Sequence, residues 1–202
     1  MLKRFFQIPL IITVLYACGS SAALRVGEPA PGFEGMDTGG NVQRLSDYRG
    51  KTVVLEWTNH DCPYVRKHYG AGNMQEQQRE AAAQGVVWLS IISSAPGKQG
   101  HVSPEESEEL TRTRNATPRA VILDSEGKIG RAYNAKTTPH MFIIDETGVL
   151  VYMGGIDSIS TANPDDILQA TQYVRTALQE LAAGKPVSTP VTKPYGCSVK
   201  YQ

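Results

Sequence analysis

The sequence predicts an α/β domain: a mixed sheet with helices on both faces. Three observations carry this. Short apolar runs at residues 52–57, 86–92 and 120–123 alternate with stretches of helical pattern. A later pair of runs, 141–144 and 149–153, is joined by Asp145-Glu146-Thr147-Gly148, which reads as an antiparallel hairpin. A last helix follows that hairpin. Strands alternating with helices imply parallel pairing, and the hairpin makes the sheet mixed. At 202 residues the chain suits one domain with a substantial core.

Each element has a local reason. Gly39-Gly40 separates segments 33–36 and 41–45, an N-terminal hairpin. The strand at 52–57 runs into a helix opening at Pro63, and Gly70-Ala71-Gly72 interrupts that helix. Asn73, with Glu76 three residues on, is expected to cap a second segment reaching Gly85. Residues 86–92 form a buried strand and 93–101 a loop. Ser103 and Glu106 repeat the capping-box spacing, with Pro104 at the first helical position, before a helix to about Asn115. Asn163 and Pro164 are expected to start one final helix ending at Ala183, before Gly184. The tail, 185–202, contains Pro186, Pro190 and Pro194 and is expected to be irregular.

Residues 1–23 read as an export segment, with Lys3 and Arg4 ahead of an apolar run, Ile8 to Ala17, too short to cross a bilayer. Two processing routes are visible: cleavage after Ala23, or cleavage before Cys18 in Leu15-Tyr16-Ala17-Cys18, which looks like a bacterial lipoprotein box and would supply a lipid anchor. Either implies the periplasm or the periplasmic face of a membrane. The chain has 20 basic and 20 acidic residues; without Lys3 and Arg4 the count is 18 against 20, a formal −2. That balance offers no nucleic-acid surface.

Cys62 is the candidate nucleophile. It ends the approach Asn59-His60-Asp61 and precedes Pro63, at a helix N-terminus whose free amides and dipole favour a thiolate. The polar approach argues against the alternative, a buried cysteine acting as a small hydrophobe. Once Cys18 is set aside, Cys197 is the other thiol, in a compartment where disulfides persist.

The element order is the thioredoxin-like arrangement, and the segment WTNHDCPYVRKHYGAGNM resembles the active-site segment of the peroxiredoxin-like branch of the redoxin superfamily, the alkyl hydroperoxide reductase and thiol-specific antioxidant relatives. The likeness extends through VVWLSIISSAPGKQG, TTPHMFIIDETGVLVYMGGID and GCSVKY, covering nearly all of residues 24–202, with a redoxin domain at 24–184. It implies a cis-proline at Pro139 facing Cys62, and a thiol peroxidase reducing peroxides through Cys62. An external dithiol reductant, such as a thioredoxin-like protein, would complete the cycle without a bound organic cofactor.

The departures are specific. The second cysteine of a CxxC pair is replaced by Val65, which excludes a local exchange cycle. The Thr or Ser three residues before a peroxidatic cysteine is Asn59, whose carboxamide could orient a peroxide oxygen. Arg66, Arg119 and Arg131 are candidates for the arginine of such sites, and none is assigned. Cys197 is the available resolving cysteine; its disulfide with Cys62 would close a loop of roughly 135 residues, for which chain entropy gives about 5 kcal/mol. A structural disulfide, an inert thiol and an intermolecular role remain alternatives for it.

Two rival readings stand beside the peroxidase: thiol–disulfide exchange on exported proteins, and a redox-inert or metal-binding module using His60, Cys62 and His140. A buried Cys62 favours the inert module, and convergence of the three side chains favours metal. No ligand spacing supports a metal site.

Overall fold

The computed structural model describes residues 24–202. The export segment and Cys18 lie outside the described residues. The central sheet has five strands, β3 (Val53–Trp57), β4 (Val87–Ile92), β5 (Ala120–Leu123), β7 (His140–Ile144) and β8 (Leu150–Gly154), in the order β5-β4-β3-β7-β8. β3 pairs in parallel with β4 and β4 with β5, while β3–β7 and β7–β8 are antiparallel. The sheet is mixed, as the hairpin at 145–148 requires. A small N-terminal hairpin, β1 (Glu34–Met36) and β2 (Val42–Arg44), turns at Gly39-Gly40.

Side-chain alternation divides the core in two. Val53, Leu55 and Trp57 of β3 join Leu89, Ile91, Ile122 and Phe142 on one face. Val54 joins Trp88, Met141 and Ile143 on the other, beneath α1 (Pro63–Gly70), α2 (Asn73–Ala83) and α5 (Tyr173–Ala182). All five residues of β3 are buried, which fixes its end, and hence the loop to Cys62, against the sheet. α3 (Pro104–Thr113) has the expected capping box, with Ser103 Oγ accepting from the Glu106 amide at 3.2 Å.

Three local expectations need correction, and one short helix was not anticipated. Asn73 does not cap α2: Gly72 is the N-cap, at a φ of 75° that the sharp α1–α2 turn requires. Asn73 instead donates to His68 Nδ1 at 2.8 Å. The last helix is not continuous. Asn163 caps only a 3-10 turn, Pro164–Leu168, and α5 starts at Tyr173 because Gln172 Nε2 binds the Ile167 carbonyl and Ser158 Oγ holds the Thr171 amide. A short helix, α4 (Lys128–Ala132), follows Gly127, with Asp124 accepting from the Ile129 and Gly130 amides. Finally, the tail contains a strand, β9 (Cys197–Ser198), antiparallel to β6 (Thr137–Thr138). Three prolines do not prevent this, since β9 begins beyond the last of them.

Candidate active site

Cys62 is the N-cap residue of α1, with extended φ and ψ of −73° and 123°, and Pro63 occupies the first turn. The Cys62 amide donates to the Asn59 carbonyl at 3.1 Å and its carbonyl accepts from the Arg66 amide at 2.9 Å, so both backbone groups belong to the loop-to-helix turn. Its Sγ lies 2.9 Å from the Thr138 carbonyl. The Thr138–Pro139 peptide is cis, and the loop that carries it faces Cys62.

Cys62 is fully buried, at 0% exposure, contrary to what the polar approach suggested. The cover is the tail: Thr138 pairs with Cys197, and the Cys197 amide points at Cys62 Sγ from 3.4 Å. Both cysteines are free thiols. The burial that would mark an inert cysteine therefore includes the chain's second described thiol. Gly196 permits this approach. A Cβ there would sit 2.0 Å from the Thr138 oxygen, and its φ of 132° is one that L side chains rarely adopt. Past Cys197 the tail is held by hydrogen bonds from the Val199 amide to the Lys136 carbonyl, the Ala95 amide to the Lys200 carbonyl, and Tyr201 Oη to the Ala135 carbonyl.

The electrostatics separate the two thiols. Burial works to raise the pKa of Cys62, but hydrogen bonds, led by those from the thiol and amide of Cys197, outweigh it and hold it below the usual value. Cys197 is pushed up to about 11, by burial first and then by its hydrogen bond to Cys62 and the charge there. The arrangement makes Cys62 the more acidic of the two thiols.

The other anticipated residues occupy different places. Asn59 braces the loop: its Oδ1 accepts from the Asp61 amide at 2.9 Å and its Nδ2 donates to the Gln99 carbonyl at 3.2 Å. Each end of the carboxamide thus makes one hydrogen bond within the protein, which leaves one N–H and one lone pair of the side chain uncommitted by these two bonds. Arg66 and an unanticipated residue, Arg114, both donate to the His60 carbonyl, at 3.1 and 3.3 Å. Arg131 lies over the Tyr201 ring. His60 pairs with Asp61 at 3.4 Å, whereas His140 accepts from the Lys136 amide and packs on Phe142. Their side chains make no hydrogen bond to Cys62. Among the described residues no three His, Cys, Asp or Glu side chains are placed to share a metal ion.

Two buried polar groups escaped the sequence reading. Glu56 on β3 accepts from Tyr69 Oη, Trp88 Nε1, Ser90 Oγ and Gln78 Nε2 at 2.8–3.3 Å, and burial raises its pKa. A lone acid within Val53-Val54-Leu55-Glu56-Trp57 was the available signal. The second group is Lys67, His68, Asp157 and Tyr195; nothing in their spacing announced that they meet.

The model of the AhpC/TSA family matches residues 26–153. The chain belongs to the AhpC/TSA family. The matched residues include Cys62 and Pro139, whereas Cys197 lies beyond them. Among curated relatives, the thiol-disulfide oxidoreductase ResA of Geobacillus kaustophilus is 30% identical over 126 residues, covering 62% of this chain and 67% of the relative. The thioredoxin-like protein YneN of Bacillus subtilis is 26% identical over 162 residues, covering 74% and 88%. Among solved structures, an uncharacterized conserved protein from Geobacillus kaustophilus superposes with a TM-score of 0.76 at 25% identity, covering 90% of this chain and 94% of that one. This AhpC/TSA protein therefore has the thioredoxin-like fold that its element order implied.

Proposed function

We propose that this AhpC/TSA protein is a thiol–disulfide oxidoreductase whose redox centre is the Cys62–Cys197 dithiol. The observation that carries the reading is the approach of the Cys197 amide to Cys62 Sγ, with β9 paired to the strand beside Pro139. Val65 stands where a CxxC partner would be, so Cys197 takes that part from the tail. The curated relative ResA, named a thiol-disulfide oxidoreductase, supports this class of activity.

The steps follow from the two thiols. Cys62 thiolate attacks one sulfur of a substrate disulfide, forming a mixed disulfide and expelling the other sulfur as a thiolate. Cys197 loses its proton and attacks Cys62 Sγ, which closes the Cys62–Cys197 disulfide and expels the second substrate thiolate. The substrate gains the electron pair that the protein loses. An external dithiol, such as that of a thioredoxin-like protein, returns it by the reverse exchange. Pro139, which has no amide hydrogen, leaves the Thr138 carbonyl and neighbouring groups to pair with an extended chain. In this structure that chain is the protein's own tail. The reading includes export, because such a pair persists outside the cytosol and residues 1–23 have the form of a secretory signal.

The peroxide reading has one observation in its favour. The cover over Cys62 leaves no open edge for a protein substrate until the tail moves, a restriction that falls least on a small hydroperoxide. Cys62 would then become a sulfenic acid, expelling an alkoxide, and Cys197 would condense with it to release water. Paired assays separate the two. Reduction of a protein disulfide at the expense of a dithiol, without hydroperoxide consumption, supports the exchange reading; dithiol-dependent hydroperoxide consumption alone overturns it. Loss of the favoured activity in Cys62→Ser is required in either case.

A further inference from the structure

Behind the tail, Lys67 and His68 of α1 meet Asp157 from the loop after β8 and Tyr195 from the tail. The first three are sealed from solvent, with side-chain exposures of 0%. Lys67 Nζ donates to Asp157 Oδ2 at 3.2 Å and to the Ile159 carbonyl at 2.9 Å. Asn73 Nδ2 donates to His68 Nδ1, so the proton of this neutral imidazole sits on Nε2, which donates to Tyr195 Oη at 3.0 Å. Tyr195 Oη in turn donates to Asp157 Oδ1. The donors and acceptors thus run in one direction, from Asn73 through His68 and Tyr195 to a carboxylate whose second oxygen faces an ammonium. The Tyr195 ring packs edge-on against Tyr64, with Lys67 on its other contacts at 5.5 Å from the ring centroid.

This is more polar machinery than a tail anchor needs, and its position is informative. Burying a charge pair is costly unless its remaining lone pairs and protons are satisfied. Here Asp157 Oδ1 accepts from the Ile159 amide at 3.1 Å and from the Tyr195 hydroxyl, and that hydroxyl is also the acceptor for His68 Nε2, so undocking the tail removes one donor to the carboxylate and the partner of the buried imidazole. Tyr195 is separated from Cys197 by Gly196 alone, the residue packed against the Thr138 oxygen. Docking Tyr195 therefore sets the start of β9 and the direction of the Cys197 amide and thiol.

We propose that Asp157, Lys67 and His68 are positioning residues for Cys197, acting through the Tyr195 hydroxyl to hold the tail cysteine over Cys62. The inference rests on the dithiol reading above. The cluster raises the effective concentration of Cys197 at Cys62, and its release opens the Thr137–Thr138 edge to another extended chain. None of its members touches the reacting sulfurs.

The test compares the protein with Tyr195→Phe, which keeps the ring and removes the hydroxyl, in mixtures of oxidised and reduced glutathione. Two electrons pass from the two protein thiols to oxidised glutathione, giving the intramolecular disulfide and two molecules of reduced glutathione. The equilibrium constant for that closure is expected to fall about tenfold in Tyr195→Phe, the size expected for a hydrogen bond to a charged group. Iodoacetamide alkylation of Cys62, measured in a Cys197→Ala background, is expected to quicken when Tyr195→Phe is added, because the cover loosens. A closure constant and an alkylation rate both unchanged, with Tyr195→Phe folded by circular dichroism, overturn the positioning role and leave the dithiol reading intact. Failure of the unsubstituted protein to close the disulfide overturns the dithiol reading, and the positioning role with it. Asp157→Asn is the second variant. A folded Asp157→Asn protein with an unchanged closure constant also counts against the proposal.

Discussion

The amide of Cys197 meets the sulfur of Cys62 at 3.4 Å, across 135 positions of chain. The two are brought together by a two-residue strand beside Pro139 and by the absence of a side chain at Gly196. Burial and reactivity, which the sequence set against each other, are linked here, because the group that covers Cys62 is also the one that lowers its pKa.

Cys62 is accordingly expected to be alkylated with a pH midpoint below the roughly 8.5 of a free thiol. Cys197→Ala removes the thiol donor and keeps the backbone amide, so the midpoint should move up part of the way. A midpoint in the unsubstituted protein at or above the free value would show that burial dominates.

Gly196→Ala forces a Cβ to within 2.0 Å of the Thr138 oxygen at a φ of 132°. The tail must lift, and the expected cost is about 1–3 kcal/mol of stability. Proteolysis of the tail and alkylation of Cys62 should both accelerate. An unchanged digestion pattern would mean that β9 tolerates the shift.

Glu56→Ala leaves Tyr69, Trp88, Ser90 and Gln78 without their shared acceptor in the interior. The loss should be about 3 kcal/mol or more by chemical denaturation, since each orphaned buried donor carries its desolvation cost. A loss below about 1 kcal/mol would show that the donors find other partners.

Acidification should destabilise the fold through two imidazoles. Burial lowers the pKa of His68 to about 4, with Asp157 opposing and Lys67 assisting, and lowers that of His140 to about 3, assisted by Lys136. Both start from 6.5, so below that pH the unfolded chain binds protons that the folded chain refuses. Their contribution is full above 6.5 and is lost as the pH falls through 4 and then 3. The thermal midpoint should decline over that interval, and the ring signals of both residues should stay neutral by NMR at pH 6.5. Titration of either near 6.5 would contradict the buried assignments.

Much of this architecture was legible because the signals were local. Short apolar runs, the capping box at Ser103, and Pro63 after Cys62 each report on a few consecutive residues. What escaped depends on chain that meets only in three dimensions. Asn73 resembles a cap in isolation, but the α1–α2 turn needs a positive φ at Gly72 and frees Asn73 to reach His68. The proline-rich tail looks irregular, yet its last residues find an edge at Thr137–Thr138. Asn59 has the right chemistry to orient an oxygen, but its bond to the distant Gln99 carbonyl could not be read from the residues around it. Cys62 and Cys197 could be named from sequence, while their meeting is made by tail contacts with distant parts of the chain, β9 on Thr137–Thr138 and Gly196 against the Thr138 oxygen.

The most direct measurement is intact-mass analysis with thiol trapping after graded oxidation by oxidised glutathione. The unsubstituted protein is expected to pass to a species lacking two hydrogens, with Cys62 and Cys197 joined and neither trapped. Cys197→Ala is expected to stop at a glutathione mixed disulfide on Cys62. Independent glutathionylation of both cysteines in the unsubstituted protein, or two thiols that remain trappable throughout, would contradict the Cys62–Cys197 redox centre.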